Sequence, residues 1–238
     1  MTDKILIFTP GHNVSKTIEK VFDNLREIKK LEFDTIYVDN CSSDNSIEIV
    51  KKSKLRRLKI IKNKINIGYG GSQKVAFDYA FRNKYDILIE YDGDLQYPHK
   101  AIYKLYDKLT KSNSSITFGS RVTSKKNIKQ MPLWKQLGNK LLNNINNWGF
   151  NFKVSEIHTG FRAYNLNLIK GVNLKECHND YRWTLDSVLE IMKINKNFSE
   201  ISIDCYYHQN ASAPSFKELW RVTSYMVLRA FKYRILKR

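Results

Sequence analysis

The sequence predicts an α/β fold, with a mixed, mostly parallel sheet flanked by helices. Three observations predict it. Up to residue 119, short apolar runs alternate with stretches whose apolar residues recur every three or four positions, the pattern of successive βαβ units. The run Ile87-Leu88-Ile89 has the length and β-branched content of a buried strand, and Gly93 allows a tight turn just beyond its end. At 238 residues, of which 42% are hydrophobic, the chain can bury one sizeable core. We expect one domain over residues 1–215, with halves over about 1–119 and 120–215, and a basic amphipathic helix over 216–238.

Taken in order, Lys4 to Thr9 reads as the first strand, and Pro10-Gly11-His12-Asn13 breaks it. Ser15 is placed to cap a helix whose Ile18, Val21, Phe22, Leu25 and Ile28 share one face. Thr35 to Val38 makes a second strand, ending in Asp39-Asn40-Cys41-Ser42-Ser43-Asp44, and a helix runs on through Ile47 and Val50. Leu58 to Ile61 is a third strand. Asn66-Ile67-Gly68-Tyr69-Gly70-Gly71-Ser72-Gln73-Lys74 then reads as a glycine-rich turn opening onto a helix over Val75 to Phe81. Backbone amides at such a helix start can face phosphates, with Lys74 as a point charge, although three glycines also make a plain turn. After the strand at 87–89 come a helix with Ile102, Leu105, Tyr106 and Leu109 on one side and a strand over Ser115 to Gly119.

The regularity ends there. Ser120 to Met131 is polar and basic without an apolar period and reads as a mobile loop. Trp134, Leu137, Leu141, Leu142, Ile145 and Trp148 recur at helical spacing and read as a core face, with a lipid-contacting face as the alternative. His158-Thr159-Gly160-Phe161-Arg162-Ala163-Tyr164 puts a His and an Arg in an otherwise apolar setting, where a structural His and a surface Arg would be the plain reading. Arg182 to Met192 is a helix carrying Asp186 and Glu190, and Phe198 to Tyr207 ends the sheet. Phe216 to Leu236 interleaves Trp220, Val227, Phe231 and Tyr233 with seven Lys or Arg residues counted to Arg238. Such a helix suits a membrane surface, or else docks on the domain with a solvated face.

Charge and cysteine usage narrow the function. Lys and Arg number 41 against 23 Asp and Glu, a net charge of +18 that calls for nucleic acid, anionic lipid or phosphorylated substrates as partners. The basic residues are spread along the chain with no helix-turn-helix, zinc-ligand or RNP-like pattern, so no nucleic-acid partner is expected. Three cysteines, Cys41, Cys177 and Cys205, without CxxC spacing argue against a disulfide framework and a zinc site and fit a reducing compartment. No apolar h-region follows Met1 to Lys4, and no segment approaches 18 uninterrupted apolar residues, so neither export by a signal peptide nor a membrane span is expected. Asp92 and Asp94, one residue apart at a strand end, lie where ligands bind an α/β sheet. Their hard oxygens suit Mg2+ or Mn2+ with substrate phosphates in the open positions, and Gln96 would add a carbonyl oxygen or orient a water. An acidic, solvated turn is the plain alternative.

Together these motifs carry a resemblance. Pro10-Gly11-His12-Asn13, Val38 to Asp44, Asn66 to Gly71, Asp92-Gly93-Asp94-Leu95-Gln96-Tyr97-Pro98, Gly119-Ser120-Arg121 and His158 to Tyr164 occur in the order and approximate spacing of the family 2 inverting glycosyltransferases of GT-A fold. The chain resembles most the branch of dolichyl-phosphate mannose synthase and related polyprenyl-phosphate sugar transferases, over about residues 4–216. The resemblance implies a nucleotide-sugar half at about 1–119 and an acceptor half at about 120–215. It implies donor contacts from Pro10, His12, Asn13, Gly68, Gly70, Lys74 and Gly93, with Asp39 hydrogen-bonding the base. Asp92, Asp94 and Gln96 would bind metal and diphosphate, and Arg121 the acceptor phosphate, with His158, Thr159, Arg162 and Tyr206 or His208 on the acceptor side. Three positions depart from the pattern: Val14 stands where an acidic residue is frequent, Asn40 replaces a frequent second Asp, and Tyr206 or His208 lies where many relatives have Arg. Arg121 with Lys125 or Lys126 would compensate for the last.

The implied reaction is metal-dependent transfer of a sugar from a UDP- or GDP-sugar to a polyprenyl phosphate, by a peripheral protein on the cytoplasmic face of the cell membrane that binds its anionic surface. A homo-oligomer is left open. A polyprenyl phosphate is already ionised and needs no strong base. A sugar hydroxyl, as in surface polysaccharide or glycan assembly, would need one, and the candidates are then Asp186, where relatives carry an acidic residue, and Glu156. A non-catalytic binding protein on the same fold is the remote alternative.

Overall fold

The computed structural model describes residues 3–124, 133–206 and 215–236, the side chains of 133–136 excepted. Its seven strands are β1 (Ile5–Gly11), β2 (Asp34–Asp39), β3 (Leu58–Lys62), β4 (Ile87–Glu90), β5 (Ile116–Ser120), β6 (Arg162–Asn165) and β7 (Phe198–Ser202). They form one sheet in the order β3-β2-β1-β4-β6-β5-β7. Every pairing is parallel except those of β6, which runs antiparallel to β4 and β5. The mixed, mostly parallel sheet is therefore the one the periodicity predicts, but its reversed strand carries no strand pattern in the sequence. That reversal positions the site. Because β6 starts where its parallel neighbours end, with Ile89 opposite Ala163 and Phe118 opposite Arg162, the segment 156–161 is delivered to the carboxyl edge beside the acidic turn.

The helices are α1 (Ile18–Arg26), α2 (Ser46–Lys52), α3 (Gly68–Arg82), α4 (Lys100–Lys111), α5 (Leu133–Phe150), α6 (Trp183–Ile194) and α7 (Phe216–Leu236), with a 3₁₀ turn at Leu166–Ile169. Strand residues alternate between two layers, as the pleat dictates. Leu6, Phe8, Ile36, Val38 and Leu88 pack with Phe77 of α3, Trp183 and Val188 of α6 and Met226 of α7. Ile5, Ile7, Tyr37, Ile87 and Ile89 pack on the other side with Val21 and Phe22 of α1 and Ile102 and Leu105 of α4. Each such full burial of an Ile, Leu or Phe contributes about 1.5–3 kcal/mol relative to exposure.

Several expectations change on contact with the structure. Thr17, not Ser15, precedes α1, and its hydroxyl donates to the carbonyls of Val14 and, at 2.6 Å, Gly93, so it ties the helix start to the acidic turn instead of capping the helix. The glycine run is not a turn before a helix but the first turns of α3 itself. The apolar stripe of α5 is a core face only in part: Leu142 and Ile145 pack against the core, whereas Leu137, Leu141 and Trp148 are exposed, and the buried positions are Asn143, Asn146, Gly149 and Phe150. The Ser120 to Met131 loop is described only through Ser124, and Tyr207 and His208 also lie outside the described residues.

Helix α7 turns Val222, Met226 and Ala230 inward and crosses α5 through small residues. A Cβ at Gly149 would stand 2.5 Å from the Cβ of Ala230. Gly149→Val should therefore overpack this crossing and lower stability by about 1–3 kcal/mol, read as a fall of several degrees in the thermal midpoint. An unchanged midpoint would show that the two helices are not in close contact.

Candidate active site

The residues expected to meet the donor lie at the ends of β1 and β2, where Gly11 is paired with Asp39. The loops that follow are laced together. Asn13, in the left-handed region at φ 55°, accepts from Ser43 N through its side chain at 2.9 Å, and its backbone donates to the Ser42 hydroxyl at 3.0 Å. His12 Nδ1 donates to the Asn40 carbonyl at 3.0 Å. Asp39 is fully buried and accepts from Ser42 N at 3.0 Å. Asn40 has a role that the Asp frequent at this position would not fill. Its Oδ1 accepts from Ile67 N at 2.9 Å and Asn63 Nδ2 at 3.3 Å, while its Nδ2 donates to Asn66 Oδ1 at 2.8 Å. A carboxylate has no proton for the last bond.

The acidic turn sits against this scaffold. Tyr91 N donates to Phe8 O at 2.8 Å, and a Cβ at Gly93 would lie 2.9 Å from the Pro10 carbonyl oxygen, so position 93 has no room for a side chain. Asp94 is buried and accepts from the backbone and side-chain amides of Gln96 at 3.2 and 2.9 Å. Gln96 thus braces Asp94 through nitrogen, and its carbonyl oxygen lies 3.9 Å from Cys205 Sγ. Asp92 is half-buried against Gly160, where a Cβ would meet its carboxylate at 2.7 Å. Burial, with Glu90 and Asp94 nearby, holds the Asp92 carboxyl well above the usual carboxylate range, against the pull of Arg121 and Arg162.

Glu90 is the site residue that sequence reasoning passed over. It ends β4 fully buried, and burial pushes its carboxyl up to about 7 although Arg162 opposes the shift. One oxygen accepts from the Tyr69 hydroxyl at 2.7 Å and from the Gln73 amide. The other has no partner among the described residues. The available signal is an ionisable residue at the end of an otherwise apolar strand.

Where the acceptor is expected, Arg121 is locked to Glu156. Its backbone N and its Nε reach the two oxygens at 2.8 and 2.9 Å, and Nη2 adds a further bond. Glu156 is buried with both oxygens engaged, which removes it as a ready base. Arg162 is not a surface residue. It is buried and donates to Thr159 O and Ile157 O, each at 2.7 Å, and to Thr184 O at 3.3 Å, so it shapes the segment beside Asp92 from below. Thr159 is buried too, its hydroxyl accepting from Phe161 N at 3.1 Å. His158 receives an amide bond from Asn146 at 3.1 Å, and its Nδ1 is buried without a partner among the described residues. Tyr206 reaches the turn through its backbone, which donates to Gln96 O at 2.8 Å.

Four predicted site residues serve elsewhere. Lys74 Nζ donates to the carbonyls of Lys175, at 2.8 Å, and Cys177 instead of facing the crevice. A Cβ at Gly68 or Gly70 would stand 2.3 Å from the Asn179 or His178 carbonyl, so these glycines let α3 press on the loop before α6. The same packing stacks Tyr69 on Tyr181, ring centroids 5.1 Å apart. Asp186 is buried and accepts from His178 N, His178 Nδ1 and Tyr225 of α7 at 2.9, 2.7 and 2.6 Å.

The description of glycosyl transferase family 2 matches residues 6–172. The chain belongs to that family. It is 27% identical to the UDP-N-acetylglucosamine–dolichyl-phosphate N-acetylglucosaminyltransferase of Methanococcus voltae, covering 99% of this chain and 96% of the relative. It is 20% identical to the polyprenol monophosphomannose synthase of Mycolicibacterium smegmatis, over 85% and 76% of the two chains. Among solved structures, glucosyl-3-phosphoglycerate synthase from Mycobacterium tuberculosis, in complex with Mn2+, UDP and glucosyl-3-phosphoglycerate, superposes with a TM-score of 0.69 at 13% identity, covering 98% of this chain and 80% of that one. A mannosyltransferase from Pyrobaculum calidifontis, in complex with GDP-mannose and Mn2+, gives 0.63 at 13% identity, over 99% and 65%. This family 2 glycosyltransferase therefore has the GT-A fold and is related to the dolichyl-phosphate sugar transferases.

The residues fit a divalent cation of the kind expected. Among the described residues no three His, Cys, Asp or Glu side chains form a self-sufficient cage. A pair of adjacent carboxylates suits a hard cation whose remaining positions go to diphosphate oxygens and water.

Burial pushes His158 down to about 3 from an ordinary 6.5. The folded state thus keeps the imidazole neutral while the unfolded chain takes up a proton below pH 6.5, so the contribution is intact above that pH and is lost as pH falls towards 3. Thermal or urea unfolding between pH 7 and 4 should show a loss of up to about 1.4 kcal/mol per pH unit from this group, reduced in His158→Asn. Equal acid sensitivity of the variant would place the titrating group elsewhere.

Proposed function

We propose that this glycosyltransferase moves a sugar from a UDP- or GDP-sugar to a polyprenyl phosphate, with Mg2+ or Mn2+ held by Asp92 and Asp94, at the cytoplasmic face of a membrane. The observation that carries the reading is the pairing of a half-buried Asp92, crowded by Glu90 and Asp94, with candidate bases whose carboxylates are already taken. The crowded carboxylates favour a cation. The engaged bases favour an acceptor that needs no deprotonation, as a phosphate is ionised near neutral pH. The names of the relatives from Methanococcus voltae and Mycolicibacterium smegmatis support the same acceptor class.

In this reading Asp92 and Asp94 fix the donor diphosphate through the cation, whose charge offsets that building up on the leaving group. Gln96 holds Asp94 in place, and Thr17 anchors the turn through the Gly93 carbonyl. Asp39, His12 and Asn13 shape the nucleotide side. Arg121 faces the acceptor side, its guanidinium oriented by Glu156. Charge pairing aligns the nucleophile, and no side chain moves a proton.

One observation keeps a second reading in view. His178 Nδ1 sits 2.7 Å from Asp186, an arrangement that orients an imidazole as a base, and a sugar hydroxyl acceptor would call on it. The acceptor decides between them.

With a polyprenyl phosphate and a panel of UDP- and GDP-sugars, one donor should yield a lipid-linked sugar. Turnover should stop in EDTA and fall by about 100-fold or more in Asp94→Asn, with the fold intact by circular dichroism. Undiminished turnover in that variant would reject the metal-dependent mechanism, and transfer only to sugar hydroxyls would select the second reading.

A further inference from the structure

Two carboxylates that the proposed chemistry leaves unused tie α7 to the wall of the acidic crevice. Asp180 and Asp186 stand on either side of the start of α6. Oδ2 of Asp186 accepts from His178 N and Nδ1 at 2.9 and 2.7 Å, and Oδ1 accepts from the Tyr225 hydroxyl of α7 at 2.6 Å. Asp180 repeats the pattern. It accepts from Arg182 N at 2.9 Å and pairs with the guanidinium of Arg182 at 2.8 Å and with that of Arg221 of α7 at 3.1 Å. The rings follow the charges: Tyr225 meets His178 edge-on, ring centroids 5.0 Å apart, and the Arg182 guanidinium lies 5.5 Å over the Tyr225 ring. Segment 178–182 is therefore held to α7 at both ends.

That segment carries Tyr181, whose ring stacks on Tyr69, and the Tyr69 hydroxyl in turn donates to Glu90 at 2.7 Å. A Cβ at Gly160 would stand 3.4 Å from the Tyr69 hydroxyl and 2.7 Å from the Asp92 carboxylate, so the two groups approach each other across one glycine. Burial and then the Asp92 charge push the Tyr181 hydroxyl up to about 12, with Asp94 adding to the shift, which puts this ring within electrostatic reach of the acidic turn. From Tyr225 to Asp92 there is thus an unbroken run of neighbouring groups.

The packing that holds α7 on the domain is separate from this run. Val222, Met226 and Ala230 are buried, and Ala230 crosses α5 at Gly149. Loss of the Tyr225 hydroxyl leaves that packing in place, whereas the buried Asp186 has no bulk water to turn to, so the change is felt by its other partner, His178.

We propose that Tyr225 and Arg221 of α7 are positioning residues for the acidic crevice, acting through Asp186 and Asp180 on segment 178–182 and so setting the place of Tyr181 beside Asp92 and Asp94. The proposal rests on the reading of that crevice as the seat of Mn2+ and a nucleoside diphosphate. It gives Asp186 a role other than that of a base and makes α7 part of the catalytic unit.

A double-mutant cycle on the full chain tests it, with Tyr225→Phe, Tyr181→Leu and the pair, titrated with Mn2+ and UDP or GDP. Tyr225→Phe should weaken nucleotide binding by about fivefold or more, and by less than about twofold once Tyr181→Leu is present. Val222→Ala, which loosens α7 without touching Asp186, should lower the thermal midpoint and leave the nucleotide affinity unchanged. Hydrogen exchange of the ligand-free protein supplies a readout that needs no substrate: Tyr225→Phe should speed exchange at 178–183 and in the 90–94 turn. Additive losses in the cycle, or unchanged exchange in both segments, would overturn the proposal. Faster exchange there, in a protein that binds neither nucleotide with Mn2+, would support the positioning run and reject the donor reading.

Discussion

Like charges concentrated at the end of β4 are the constraint around which the structure is built. Glu90, Asp92 and Asp94 lie within five residues, two of them buried and one half-buried. Taking carboxylates out of water costs several kcal/mol each unless charge or hydrogen bonds compensate. The protein compensates in part. Arg162, buried beneath the turn, lowers both Glu90 and Asp92 without touching either. Tyr69 and Gln73 donate to Glu90, and Gln96 donates to Asp94. Asp92, the least buried of the three, keeps the residual strain.

Much of the remaining architecture follows from holding that arrangement. The reversal of β6 is what places Arg162 next to the end of β4, and its guanidinium then gathers the carbonyls of 157, 159 and 184. A Cβ at Gly160 would push the Asp92 carboxylate aside, and one at Gly93 would meet the Pro10 carbonyl behind it. The glycines of α3 serve the same end at one remove: they seat the helix on the 178–179 loop, which brings Tyr181 over Tyr69 and Tyr69 onto Glu90. Strain kept at one functional carboxylate and relieved around it is the usual signature of a site built for a ligand.

What the sequence made legible was local. Strand and helix periodicity gives all six parallel strands and each helix, and the placing of Asp92 and Asp94 at a strand end holds. What it hid was long-range. β6 is four residues long and contains the charged Arg162, so no alternation identifies it, and its place in the sheet depends on distant pairing, Tyr164 lying opposite Leu88 of β4, 76 residues earlier. Lys74, Glu156 and Asp186 looked available because sequence shows ionisable groups without their partners, and each is engaged by a residue far along the chain or on another element. On α5 the apolar period is real, but periodicity says only that a stripe exists and not which way it faces.

The central claim is that the charge crowding at Asp92 exists to be relieved by a cation and a nucleoside diphosphate. It is tested most directly by thermal unfolding of the wild type and Asp92→Asn, each alone, with Mn2+, and with Mn2+ and UDP or GDP. Removing the strained charge should leave the ligand-free variant at least as stable as the wild type, while only the wild type gains from Mn2+ with nucleotide, by about 2.7 kcal/mol at a hundredfold excess over the dissociation constant. A ligand-free variant clearly less stable than the wild type, or one stabilised by Mn2+ and nucleotide just as strongly, would contradict the account.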